Sequence, residues 1–173
     1  MFTEQTYKSN TTMNTFAEQE PPVNLDQKDY EILKLLQEDA KQTIREIAAK
    51  VHLSPTPTHE RIKRLEKTGV IKQYAAILDH QKINKGIMVI CQISLVQHNR
   101  KAAGEFLHAV LQFEEVVECY NISGDFDFMI KIVVESMESY HYFCVNRLGE
   151  VPGIAQTKSI FVMASLKQTH RLL

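Results

Sequence analysis

Apolar positions change their period once along this chain, and the change divides it in two. From Leu25 they recur at helical spacing: Ile32, Leu33 and Leu36 form one stripe, and Ile44, Ile47, Ala48 and Val51 form another at i, i+3, i+4, i+7. Polar residues mark where these helices begin. Asp26 precedes the first as an N-cap, Thr43 and Glu46 have the spacing of a capping box, and Ser54 caps a third helix with Pro55 at its first position. The third helix is predicted to run to about Thr68, with Gly69 as its stop. Three short helices, the last two joined by a tight turn at His52-Leu53, predict a helix-turn-helix. "VIKQYAAIL", Val70 to Leu78, is strand-like and reads as a wing or a linker.

From Gly86 a different rhythm sets in. "GIMVICQISLV" is a β run and "RKAAGEFLHAVLQF" an amphipathic helix. "VVECYNIS" and "FDFMIKIVVE" are strands separated by Gly124-Asp125. "SMESYHYFCVNRLGEV" is a helix and "IAQTKSIFVMASLKQ" a last strand. The order β-α-β-β-α-β predicts a ferredoxin-like sandwich, one antiparallel sheet with two helices on one face. The fold class expected is therefore α+β. A tail (1–24), a helix-turn-helix (25–72), a strand or linker (73–85) and a ferredoxin-like domain (86–173) make up the chain. The tail is polar, aperiodic and closed by Pro21-Pro22, which predicts disorder, and Met13 within it is an alternative start.

Composition narrows the function classes. With 173 residues and 44% hydrophobic content the chain can bury a core, and a net charge of −1 means that any attraction to a polyanion must be local. Cys91, Cys119 and Cys144 are far apart in apolar surroundings, without the spacing of zinc ligands, and fit reduced thiols. No apolar run approaches the ~18 residues of a membrane span, and the N-terminus lacks the pattern of a signal peptide. These features predict a cytoplasmic protein without a membrane partner, a metal or a cofactor.

Charge does gather on the third helix. Arg61, Lys63, Arg64, Lys67 and Lys72 face only Glu60 and Glu66 in the same stretch. On a wheel of ~100° per residue, Thr58, Ile62 and Leu65 turn toward the other helices, with Thr56, Glu60, Lys63 and Lys67 opposite and His59 and Arg64 on the margins. A helix-turn-helix places the start of its second helix in the major groove, where Thr, His and Glu reach base edges and Lys and Arg neutralise phosphates. The Ser54 and Thr56 hydroxyls, with free first-turn amides, suit a phosphate oxygen. Glu60 fits there by accepting from cytosine or by pairing with Arg64. The candidate set for double-stranded DNA is Ser54, Thr56, Pro57, Thr58, His59, Glu60, Lys63, Arg64 and Lys67. A merely solvated charged face is the competing reading.

The stretch "LDQKDYEILKLLQEDAKQTIREIAAKVHLSPTPTHERIKRLEKTGVIKQYAAILD" resembles the DNA-binding half of the Lrp/AsnC family of leucine-responsive and asparagine regulators. "SGDFDFMIKI" is similar to the turn of that family's effector domain, and "VPGIAQTKSIFVM" to its final strand. The resemblance covers nearly all of residues 25–173. It implies a transcription regulator that binds a small effector, usually an amino acid, where dimers meet, and that stacks dimers into rings of up to eight. Carried over by position, it points to Ile122, Gly124, Asp125 and Asp127 on the hairpin, Met137 at the second helix, and Ile160, Phe161 and Val162 on the last strand.

The residues agree with such a ligand. A glycine-aspartate turn offers backbone N–H groups to a carboxylate and an Asp side chain to an ammonium, the two ends of a zwitterion. Asp125 and Asp127 as a catalytic pair lack any accompanying nucleophile, phosphate loop or metal cluster, and His108 and His141 read as surface or partly packed imidazoles. Phe161 and Met163 fit a core equally well. Both faces of "GIMVICQISLV" are largely apolar, which predicts a second subunit's sheet over the open one. The alternatives are an architectural DNA-wrapping protein without effector and, remotely, a small ferredoxin-like enzyme.

Overall fold

The computed structural model describes residues 22–173. Most of the expected tail, with Met13, lies outside the described residues. The chain divides into two compact units: one holds the residues up to Ala75 together with His170–Leu173, the other Ala76–Thr169.

In the first unit three helices form: α1 (Gln27–Glu38), α2 (Ile44–Lys50) and α3 (Pro55–Lys67). The caps explain where two of them start. Asp26 accepts from the Asp29 amide and Asp29 reaches back to the Asp26 amide, and Thr43 and Glu46 do the same for α2. Ile32, Leu33, Ile47, Val51, Ile62 and Leu65 form the shared core, with Leu36 and Ile44 packed at its rim. Between α2 and α3 the chain turns through His52 in the left-handed region (φ +55°), and the Leu53 N–H donates to the Ala48 carbonyl at 2.9 Å. α3 stops where Gly69 takes φ +71° and the Ile71 N–H returns to the Leu65 carbonyl at 3.0 Å.

Val70 to Leu78 forms no strand. Val70 and Ile71 instead pack on the helical core, and the Tyr74 hydroxyl donates to Glu66 at 3.0 Å, so this stretch follows α3 back instead of finding a pairing partner. Burial and the Glu66 carboxylate push the Tyr74 phenol up to about 12.

The second unit is built from β1 (Ile87–Leu95), α4 (Arg100–Val110), β2 (Val116–Asn121), β3 (Phe128–Val134), α5 (Met137–Asn146), a 3-10 turn at Leu148–Glu150 and β4 (Ile154–Phe161). The strands lie in the order β2-β3-β1-β4 with antiparallel neighbours throughout, the ferredoxin-like arrangement. Alternation assigns the faces. Val89, Cys91, Ile93 and Leu95 of β1, with Phe128, Ile130, Ile132 and Val134 of β3, bury against Phe106, Val110, Tyr140 and Phe143 of the helices. The other face carries Met88, Ile90, Met129 and Val133 beside Gln92 and Ser94, all half-buried, and a Lys131–Glu118 ion pair at 2.8 Å. The last strand is shorter than its pattern suggests. It ends at Phe161, opposite Val89, and one further bond, from the Val162 N–H to the Met88 carbonyl at 3.0 Å, follows it.

Replacing Gly69 with Ala forces a side chain into a left-handed turn and should cost about 1 kcal/mol, read as a lower melting temperature. Gly86→Ala, with ordinary φ and open space around its Cβ, should leave stability unchanged or slightly raised.

Candidate functional site

Two prolines shape the start of α3. Ser54 sits at the N-cap position, but its side chain makes no capping bond, so the expected serine cap is positional only. Pro55 and Pro57 have no N–H, and the Thr58 N–H goes to the Ser54 carbonyl at 3.4 Å. Among the described residues, that leaves the Thr56 amide and the Ser54 hydroxyl open at the exposed end of the helix. Thr58, expected among the DNA-binding residues, is fully buried and donates its hydroxyl to the Ser54 carbonyl at 3.0 Å. It shares the Ile62/Leu65 face, so it can seat the helix but cannot touch a base. Pro57 is half-buried, while Thr56, His59, Glu60, Lys63 and Lys67 are exposed.

The two arginines behave differently from the lysines. Arg61 donates to Asp26 at 2.7 Å and to Asp29 at 2.8 Å, and Arg64 donates to the other oxygen of Asp29. Arg64 is therefore committed to Asp29, not to Glu60 as its i+4 spacing suggested, although 45% of its side chain is exposed. Asp29 itself has no exposed surface. Burial alone would push its carboxyl up. The Asp26 N–H and the two guanidinium groups outweigh that, and the pKa is held below the ordinary carboxylate value. Asp29 and Arg61 are the residues that sequence reasoning missed. The signal was an acid at i, i+3, i+4 with Ile32 and Leu33, where a buried charge requires a cationic partner.

At the other candidate site, Gly124 takes φ +116° and the Ile122 N–H closes the turn onto the Asp127 carbonyl at 2.9 Å. Asp127 then finishes the sheet with its side chain. Its N–H donates to the Ile93 carbonyl at 2.9 Å, and its carboxylate accepts the Leu95 N–H and His98 Nδ1, both at 2.8 Å. The Leu95 amide first, and the imidazole after it, hold the Asp127 carboxyl below its usual range. Ile122 is half-buried and Asp125 exposed.

Met137, Ile160, Phe161 and Val162 lie elsewhere. Phe161 pairs with Val89, whose other partner is Ile132, and stacks edge-on against Tyr140 at 5.1 Å. Met137 follows the far end of β3. At ~3.3 Å per residue, the length of β3 puts roughly 20 Å between the hairpin and this second group. One chain does not gather the eight candidates into one pocket. A shallow cavity of about 480 Å³ lies instead among Lys85, Glu115, Glu135, Glu138, Ser139 and Tyr142, and contains none of them.

Among the described residues no group of three or more His, Cys, Asp or Glu is placed to hold a metal ion, and no helix is long and apolar enough to cross a membrane. Cys91 is buried, and burial pushes its thiol up to about 11; Cys119 and Cys144 are half-buried.

Asp29→Ala should destabilise the helical unit by about 2 kcal/mol, because two guanidinium groups and one amide lose their acceptor. Since the folded pKa lies below the unfolded one, this contribution is whole above about pH 4 and is lost as pH falls through the folded value. Thermal melts from pH 7 to 3 should therefore show the gap between wild type and Asp29→Ala closing in acid.

Comparison with known proteins identifies both units. Residues 25–72 match the family model of a winged helix-turn-helix DNA-binding domain, and residues 88–172 that of the Lrp/AsnC ligand binding domain. The leucine-responsive regulatory protein of Haemophilus influenzae is 40% identical over 149 residues, 86% of this chain and 90% of its own. That of Escherichia coli K12 is 35% identical over 157 residues, covering 91% and 96%. A transcriptional regulator of Neisseria meningitidis, solved as its L-Met complex, superposes with a TM-score of 0.82 at 31% identity over 87% of this chain and 97% of that one. An AsnC family transcriptional regulator from Agrobacterium tumefaciens gives 0.81 at 35% identity over 86% and 97%. A DNA-binding helix-turn-helix followed by a ligand-binding ferredoxin-like unit, matched over nearly its whole length, makes this chain a member of the Lrp/AsnC family of transcription regulators.

Proposed function

We propose that this regulator reads duplex DNA with the face of α3 formed by Ser54, Thr56, His59, Glu60, Lys63 and Lys67, and that it answers to a free amino acid. The observation that carries the first part is the division of labour among the cations of α3. Asp29 draws Arg61 and Arg64 onto α1, while Lys63 and Lys67 stay exposed on the flank opposite Ile62 and Leu65. The lysines suit phosphates as point charges, and the short side chains before them suit base edges. Glu60 has no ionic partner among the described residues and is left to a cytosine amino group.

The effector is an amino acid with an apolar side chain, a class that includes the L-Met held by the Neisseria neighbour. Its polar ends meet the Gly124–Asp127 turn, and its side chain meets Met137, Ile160, Phe161 and Val162. Because β3 separates those groups, the site is completed by a second copy of the chain. The apolar open sheet face, with Met88, Ile90, Met129 and Val133, is where copies pair into a dimer, the unit of larger assemblies in the cytoplasm.

Lys63→Ala and Lys67→Ala should each weaken binding to a duplex selected by the wild-type protein from a random library. Each should also lower the salt slope of log K by about one. Arg64→Ala should instead lower the melting temperature first. Slopes unchanged in both lysine variants would refute the reading face. In a thermal-shift screen of the twenty amino acids, L-Met or L-Leu should raise the melting temperature. A screen without any positive would leave an architectural DNA-binding protein, and a monomer in sedimentation would remove the shared site.

A further inference from the structure

The two oxygens of Asp127 have partners of very different permanence. One accepts the Leu95 N–H, a backbone amide at the end of β1 that β3 does not reach. Losing that bond would leave a main-chain donor without an acceptor, so this oxygen is structural. The other is 2.8 Å from His98 Nδ1, and since an ionised carboxylate only accepts, the imidazole N–H donates. His98 stands in the exposed loop between β1 and α4 with 69% of its side chain in solvent, and Asp127 keeps 25% of its own. Water can replace what the imidazole loses, so this bond opens at little cost.

The turn beside it has open donors. None of the amides of Ser123, Gly124, Asp125 and Phe126 finds an acceptor among the described residues, and the positive φ of Gly124 bends the chain around them. Such a turn can take a carboxylate. The matching place for an ammonium is the Asp127 oxygen that His98 covers.

We propose that His98 is a displaceable latch on Asp127, whose imidazole yields its carboxylate oxygen to the ammonium group of a bound amino acid. This rests on the effector reading above and adds a residue that sets effector affinity. The exchange is donor for donor, and the ammonium brings a full charge, so the bond that replaces the latch is the stronger one. The latch also competes. If it is closed about nine-tenths of the time, the apparent affinity is weakened about tenfold.

The test uses the full chain with L-Met as probe, titrated calorimetrically into wild type, His98→Ala and Asp127→Asn. Asn can still accept from Leu95, so the fold should survive, but it offers no anion. His98→Ala should bind L-Met about three- to tenfold more tightly, and Asp127→Asn should lose binding. In wild type, L-Met should move the ¹H–¹⁵N imidazole signals of His98 toward their positions in Asp127→Asn, while N-acetyl-L-methionine, which lacks the ammonium, should not. Equal or weaker binding by His98→Ala, or L-Met binding with the His98 signals unmoved, would overturn the latch and leave the effector reading standing. If neither wild type nor His98→Ala binds L-Met or any other amino acid, the effector reading fails and the latch fails with it.

Discussion

A buried carboxylate sets the direction in which α3, the proposed DNA-reading helix, presents its charges. Asp29 is on the inner face of α1, one turn before Ile32 and Leu33, and an ion there without partners would cost several kcal/mol. Its lone pairs are used by the Asp26 amide and by the guanidinium groups of Arg61 and Arg64. Those arginines are three residues apart, on the side of α3 that faces α1, and holding both fixes the rotation of α3 about its own axis. With the rotation fixed, Ile62 and Leu65 must point inward, and Lys63 and Lys67 must point away. The same contact spends two of the helix's cations on the fold, so fewer remain for phosphates than a count of Lys and Arg suggests.

The ferredoxin-like unit uses a carboxylate in a related way. β1 runs two residues past its last β3 partner, so the Leu95 amide has no backbone acceptor on that side. Asp127, the residue before β3, supplies one from its side chain. This extends the ladder and pins the Gly124 turn against the β1–α4 loop. The structural oxygen and the exchangeable oxygen belong to one residue, so a ligand engaging the second acts on a group that also terminates the sheet. The proposed latch would thereby join ligand binding to the end of β1 without any rearrangement of the core.

Much of this was legible in the sequence. The stripes of Ile32/Leu33 and Ile47/Val51, the Thr43–Glu46 box and the alternation of β1 and β3 follow from periods of 3.6 and 2, which depend only on local geometry. The misreadings are cases where a tertiary partner overrode a local rule. Arg64 had Glu60 within helical reach, but the buried Asp29 needs it more. Thr58 is different: the wheel already turned it inward with Ile62 and Leu65, and its place near the helix start alone put it among the base readers, whereas its hydroxyl is satisfied by the Ser54 carbonyl. Val70 to Leu78 has strand composition, but a strand requires a neighbour, and Tyr74 is held by Glu66 instead. Nor could spacing along the sequence tell that the hairpin and Phe161 sit at opposite ends of β3. That fact follows from pairing register.

On the proposed reading, the same register makes the effector site a property of an assembly. The polar end of the candidate site is on the turn before β3, and the apolar end is on β4 and at the start of α5, a strand's length away. A ligand as small as an amino acid cannot touch both within one chain, whereas two copies in contact can set one chain's turn against the other's last strand. In the proposed shared site, its binding energy would be available only in arrangements where the copies meet, so it would shift the assembly equilibrium by its differential affinity for those arrangements and by nothing else. The proposed assembly would in turn decide how many α3 helices, each clamped by its own Asp29, meet one duplex together. The local charge on each helix is modest. Linking several of them would convert weak phosphate contacts into avidity, and would make the geometry of the proposed assembly the quantity that the effector controls.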